Sequence, residues 1–164
     1  MFRRAISTSL ATTSRMPLRA SIHPGRCNSN MLPLQATREK TTISSIYTDK
    51  CYAPFAHYSQ AIKAGNHVWL SGQIPADAQG NLIKGSVTEK TQAIIQNTEA
   101  ILQEAGSGLD RVAKVVVYVT DASIMPEFAK VYDPAFPHRP ARSMVEVSKL
   151  PAGVDIQVDF FAVV

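Results

Sequence analysis

The most chemically pointed stretch of this 164-residue sequence is Pro137-His138-Arg139-Pro140-Ala141-Arg142-Ser143-Met144-Val145-Glu146-Val147. Arg142 opens a predicted strand directly after a proline-stiffened approach. A guanidinium at the rim of a sheet holds a carboxylate through two parallel hydrogen bonds. Strand alternation places Arg142, Met144, Glu146 and Ser148 on one face and Ser143, Val145 and Val147 on the other. The Arg142 face is expected to meet a partner subunit. The plainer alternative is a structural arginine paired with Glu146 or a neighbouring strand, and spacing alone leaves both open.

Other reactive residue types give less. Ser71, in Leu70-Ser71-Gly72-Gln73, lacks the flanking glycine of a nucleophile elbow and reads as a quiet strand serine. His57, His67 and His138 show no helical i, i+4 spacing and the sequence holds no close cysteine pair, so no metal site is predicted. Neither a phosphate loop nor a dinucleotide fingerprint is present. Cys51 sits beside no clear base or helix start and is expected to have no chemical role.

The elements that must position these residues alternate between strand and helix periods. Strands are predicted at Thr42–Tyr47, Tyr58–Lys63 and His67–Ile74, with Gly65-Asn66 as the turn between the last two. A Pro/Gly loop fills 75–85. Ser86 and Glu89 form a capping box for a helix carrying Ile94, Ile95, Thr98, Ile101, Leu102 and Ala105 at helical spacing until Gly106. Val112–Thr120 is a strand apolar on both faces. A shorter helix at Ile124–Tyr132 and two strands, Arg142–Leu150 and Asp155–Val163, complete the order βββαβαββ. Two helices cover one face of one sheet. The other face therefore needs a second subunit, and an oligomer built through the sheet is expected.

Charge is distributed unevenly. Residues 1–38 hold six arginines and no Asp, Glu or Lys, among many Ser and Thr. That composition is the mark of a mitochondrial transit peptide, the alternative being a disordered basic tail. Residues 39–164 carry eleven Lys and Arg against thirteen Asp and Glu, a net −2. With no aromatic-basic stripe, this speaks against nucleic acid as a partner. No stretch approaches the ~20 apolar residues of a membrane span. Cys27 falls in the leader, which leaves Cys51 without an intrachain disulfide partner, as suits a reducing compartment. The organisation read here is a leader at 1–38 and one domain at 39–164.

Three motifs, in order, carry a resemblance. Tyr58-Ser59-Gln60-Ala61 with Ile62-Lys63-Ala64-Gly65-Asn66, then Ser71-Gly72-Gln73-Ile74-Pro75, then Pro140-Ala141-Arg142-Ser143-Met144-Val145-Glu146-Val147 with Leu150-Pro151, closely resemble the RidA/YjgF family of reactive-intermediate deaminases. The likeness runs from about Thr48 onward, and with the leader it resembles the fungal mitochondrial, Mmf-type branch. It implies an α+β, chorismate-mutase-like fold: a homotrimer of mixed sheets, each backed by two helices, with a cleft at every subunit interface. The implied activity is hydrolysis of short 2-imino acids (2-iminobutanoate and 2-iminopropanoate, from 2-aminocrotonate and 2-aminoacrylate) to 2-oxo acids and ammonia. That would protect pyridoxal-phosphate enzymes and support isoleucine metabolism in the mitochondrial matrix. By motif, Arg142 would clamp the carboxylate, Tyr58, Ser71 and Gly72 would line the pocket, and no metal or organic cofactor is implied.

Three positions depart from the family pattern. Its water-orienting Glu falls on Gln157, whose amide holds a water but accepts no proton at neutral pH. Asp159 follows on the same face, ~7 Å further along the strand. Phe128-Ala129-Lys130-Val131-Tyr132 lacks a short run that includes an Asn, which predicts a shorter second helix, and Met144 stands where many relatives have Cys. Gln157 favours the competing reading of a non-catalytic trimer that binds small carboxylates. A tailoring role on a larger imine is a further alternative.

Overall fold

The computed structural model describes residues 42–164, so the expected leader lies outside the described residues. Eight elements follow in the predicted order: β1 Ile43–Ile46, β2 Ala61–Ala64, β3 His67–Leu70, α1 Val87–Glu104, β4 Val112–Val119, α2 Met125–Ala135, β5 Ala141–Glu146 and β6 Ile156–Val163. The strands form one sheet in the order β1-β2-β3-β6-β4-β5, antiparallel except for the β4–β5 pair. The fold is the expected α+β class with one mixed sheet and two helices.

Helix α1 starts where the capping box places it. The Ser86 hydroxyl accepts from the Glu89 N–H (3.3 Å), and the Ser86 N–H donates to the Glu89 carboxylate (2.7 Å). It ends where Gly106 takes a φ of 77°, letting the Ser107 N–H reach the Leu102 carbonyl (2.8 Å). Its apolar stripe (Ile94, Ile101, Leu102) buries against Val115, Val117 and Val119 of β4 and Ile156, Val158 and Phe160 of β6. Helix α2 adds Phe128, Tyr132 and Phe136, whose rings stack at 5.3 and 4.6 Å between centroids. Lys90 ties the first turns of α1 to the approach to β6 by a 2.7 Å ion pair with Asp155.

Strand β4 shows why helices cover one face only. Val115, Val117 and Val119 are buried under them, while Val116 and Tyr118 on the reverse side stay partly exposed. That reverse side also carries Gln157, Asp159, Trp69, Phe161 and Val145. Among the described residues nothing covers this face, as the element count predicted.

Four boundaries differ from the sequence expectation, the first being β3, which ends at Leu70 rather than Ile74. Tyr58 precedes β2 rather than lying in it, because β2 has partners only across 61–64 and 67–70. Strand β5 stops at Glu146 instead of Leu150: beyond it β4 has ended, and one last bond joins the Val147 N–H to the Val119 carbonyl (2.9 Å). Helix α2 continues past Tyr132 to Ala135, with Pro134 in the last turn.

Truncating Leu102 to Ala is expected to lower unfolding free energy by about 2–5 kcal/mol, and Ser86→Ala by about 1 kcal/mol. Denaturant titration at one fixed protein concentration reads both, because association would otherwise shift the midpoint.

Candidate active site

A buried amide and phenol network places the loops that carry the predicted site residues. Gln60 is almost fully buried, and its Nε2 donates to the carbonyls of Thr48 (3.0 Å) and Tyr52 (2.9 Å) while its Oε1 accepts from the Thr48 N–H (2.7 Å). The Tyr52 hydroxyl donates to Gln73 Oε1 (3.3 Å) and accepts from the Ile74 N–H (3.2 Å). Burial pushes this phenol up to about 12, so it remains a donor throughout the neutral range. Gln73 pairs with β6 by two backbone bonds to Val158 (2.8 and 2.9 Å). The 48–60 segment, the 71–74 segment and β6 are thereby held in one arrangement.

That arrangement brings Tyr58, Ser71, Gly72 and Gln157 around one cavity of about 420 Å³, walled by Phe55, Ile74 and Pro151. The Ser71 hydroxyl donates to the Ser59 carbonyl (2.6 Å), which spends its proton on structure and leaves no base beside it. This fits a quiet serine rather than a nucleophile. The Tyr58 hydroxyl accepts from the Phe55 N–H (3.2 Å) and keeps its own proton for a ligand. Gly72 packs closely against two side chains of β6. A Cβ there would lie 2.4 Å from Gln157 Nε2 and 3.0 Å from Asp159 Oδ1, so any side chain displaces the amide that lines the cavity.

Arg142 is elsewhere in the protomer. The parallel register sets Arg142 beside Val115, whose side chain points to the helices, so Arg142 also points to the helix side and not to the uncovered face. This corrects the expected orientation. Its guanidinium lies 5.0 Å over the Tyr132 ring centroid and 3.4 Å from the Asp133 carboxylate, at the mouth of a second cavity of about 730 Å³. The partner is Asp133, not Glu146, which turns away to accept from the Ala122 N–H (2.9 Å). Both side chains of the Arg142–Asp133 pair are well exposed (34% and 65%), so the pair is weak and exchangeable. The Tyr132 hydroxyl is buried without a hydrogen-bond partner among the described residues.

Gln60, Tyr52 and Gln73 position the cavity segments, a role that sequence reasoning missed although two of them sit inside the quoted motifs. The available signal was a long amide flanking or ending strand segments otherwise apolar. Asp159 lies on the Gln157 face of β6, as its spacing in the sequence predicts. Burial raises its carboxyl, while hydrogen bonds from Tyr118 and Gln157 pull it back. Cys51 is buried and its thiol is pushed up to about 11, which leaves it protonated and unreactive. Among the described residues no cluster of three His, Cys, Asp or Glu side chains is arranged to hold a metal, and no helix is long and apolar enough to cross a membrane.

Comparison with known proteins agrees with this architecture. The family model described as Endoribonuclease L-PSP matches residues 48–164. A RutC family protein of Pyrococcus abyssi is 44% identical over 119 residues, covering 71% of this chain and 94% of the relative. The mitochondrial protein MMF1 of Saccharomyces cerevisiae is 41% identical over 124 residues, covering 75% and 86%. Among solved structures, the Escherichia coli TdcF crystal structure with bound serine superposes with a TM-score of 0.70 at 29% identity, over 74% of this chain and 98% of that one. An L-PSP family match across most of the chain, relatives above 40% identity and the shared sheet place the protein together: it belongs to the Endoribonuclease L-PSP family, that of the RidA and YjgF proteins.

Proposed function

We propose that the protein is a mitochondrial deaminase that hydrolyses short 2-imino acids to 2-oxo acids and ammonia, at sites shared between subunits of a homotrimer. One observation carries this reading. The cavity bearing Tyr58, Ser71, Gly72 and Gln157 is lined by no cationic side chain, while Arg142 stands in a separate cavity at the edge of the sheet. A carboxylate clamp for the first cavity must then come from a second copy, and the uncovered sheet face provides the surface on which copies meet. TdcF, a solved relative with bound serine, supports a small amino-acid-like ligand.

The chemistry asks little of the protein. An imine carbon is already electrophilic, so holding the substrate and aligning a water accounts for most of the acceleration. Arg142 of one subunit fixes the carboxylate after leaving Asp133. The neighbour's Tyr58 and the backbone at Ser71-Gly72 meet the imine nitrogen, and Gln157 holds the water. RNA cleavage, which the family description suggests, finds less support. The domain is net negative, and the Ser71 hydroxyl is already committed to the Ser59 carbonyl.

Velocity sedimentation is expected to give three times the subunit mass, and a stable monomer refutes the shared site. A threonine dehydratase assay, with semicarbazide competing for the imine, is expected to show faster 2-oxobutanoate release with the protein present. Arg142→Ala and Gly72→Val each abolish that gain. Coexpressing the two variants restores about a quarter of the activity, because random mixing gives that share of interfaces two intact halves. Binding of 2-oxobutanoate without any acceleration establishes the carboxylate-binding module instead, the reading that Gln157 favours. Residues 1–38 fused to a fluorescent reporter are expected to direct it to mitochondria, and diffuse fluorescence overturns that assignment.

A further inference from the structure

The proposed reaction needs an acceptor for the proton of the attacking water, and the Gln157 amide is not one at neutral pH. We infer that Asp159 is that acceptor, with its carboxylate set behind Gly72 and beside the Gln157 amide. The assignment rests on the deaminase reading above and names the group that reading leaves open.

The placement follows from β6. Ile156, Val158 and Phe160 go into the core, which turns Gln157 and Asp159 together onto the uncovered face. The register puts Tyr118 beside Gln157 and Val116 beside Asp159, so a small valine leaves room for the carboxylate to lean back along the strand. The lean is visible at Gly72. One point, the position of an added Cβ, lies 2.4 Å from Gln157 Nε2 and 3.0 Å from Asp159 Oδ1. Side-chain direction thus closes the ~7 Å strand offset between the two residues. The Gln157 amide and the Tyr118 hydroxyl are the neighbouring groups that favour the ionised carboxylate. Gly72 and Gln157 line the cavity, and the Asp159 carboxylate lies directly behind them, so a proton passes to it through a water held by Gln157.

The environment tunes the group for that task. Burial raises the Asp159 carboxyl, which strengthens it as a base, and the interactions with Tyr118 and Gln157 oppose that rise. Tyr118 is the titratable group that touches it, and its phenol is raised, so it remains a neutral donor. Lys114, on the same face of β4, carries its ammonium to the Ser143 hydroxyl (2.7 Å). Ser71 and Gly72 on the facing segment do not ionise, and Tyr58 stands across the cavity.

The steps balance. Water adds to C2 of the iminium and Asp159 takes its proton, while the C=N electron pair moves to nitrogen. The resulting carbinolamine nitrogen receives that proton back from Asp159. The C–N bond then breaks, ammonia leaves with the bonding pair, and Asp159 takes the hydroxyl proton as the carbonyl forms. Transfer of this last proton to ammonia regenerates the carboxylate.

The test is a kinetic comparison of the intact trimer and its variants in the coupled dehydratase assay. Asp159→Asn is expected to lower the enzyme-dependent rate about 100-fold or more, with 2-oxobutanoate binding by calorimetry unchanged because Arg142 is untouched. Adding Gln157→Glu to that variant recovers activity by supplying a carboxylate two residues earlier. Unaltered protein loses activity as pH falls through the Asp159 pKa. Tyr118→Phe removes a bond that stabilises the ionised form, so it moves this acid limb to higher pH, and the shift is readable even if Asp159→Asn does not fold. Full activity of Asp159→Asn, or an acid limb that Tyr118→Phe leaves in place, overturns the assignment while the deaminase reading stands. An unaltered trimer that gives no acceleration overturns both.

Discussion

Everything in this molecule follows from a sheet with two faces and helices enough for one. On the covered face the β4 and β6 side chains build a dry core with α1 and α2. On the other, the same two strands present a mixed surface of Val116, Tyr118, Gln157, Asp159 and Phe161, which is apolar enough to need cover and polar enough to do chemistry. Strand alternation makes the two inseparable, since each residue that secures the core fixes its neighbours on the reactive side. The candidate site is in this sense a by-product of the core register.

Precision at the site depends on buried polar groups. Gln60 and Gln73 satisfy backbone groups of the segments that precede and follow the β2–β3 hairpin. A buried amide left without such partners would be costly, so the network stands or falls as a unit. Tyr52 joins its two halves and stays neutral because burial raises its phenol. The cavity floor at Gly72 is then held by backbone bonds to β6 rather than by the flexibility of a loop.

The surroundings of Arg142 are set by the end of α2. The end of α2 brings Tyr132 and Asp133 beside the start of β5, and the guanidinium rests on both. An exposed pair of this kind contributes little stability, so it leaves the guanidinium free to exchange partners at small cost. The Tyr132 hydroxyl beneath it is buried without a hydrogen-bond partner among the described residues.

The linear pattern was enough for the element order, both ends of α1, the uncovered face and the identity of Tyr58, Ser71, Gly72 and Gln157 as companions. Those features depend on periodicity, capping chemistry and motif order, all of which are local. The direction of Arg142 was not legible, because its face is set by pairing with β4 across a parallel crossover and alternation within β5 fixes faces only relative to each other. Nor was the closeness of Asp159 to Gly72: residues 87 positions apart along the chain meet only through the Gln73–Val158 bridge, and a strand offset says nothing of how a side chain leans. Sequence therefore determined which groups are present and which strand carries each, while tertiary pairing decided which of them share a cavity.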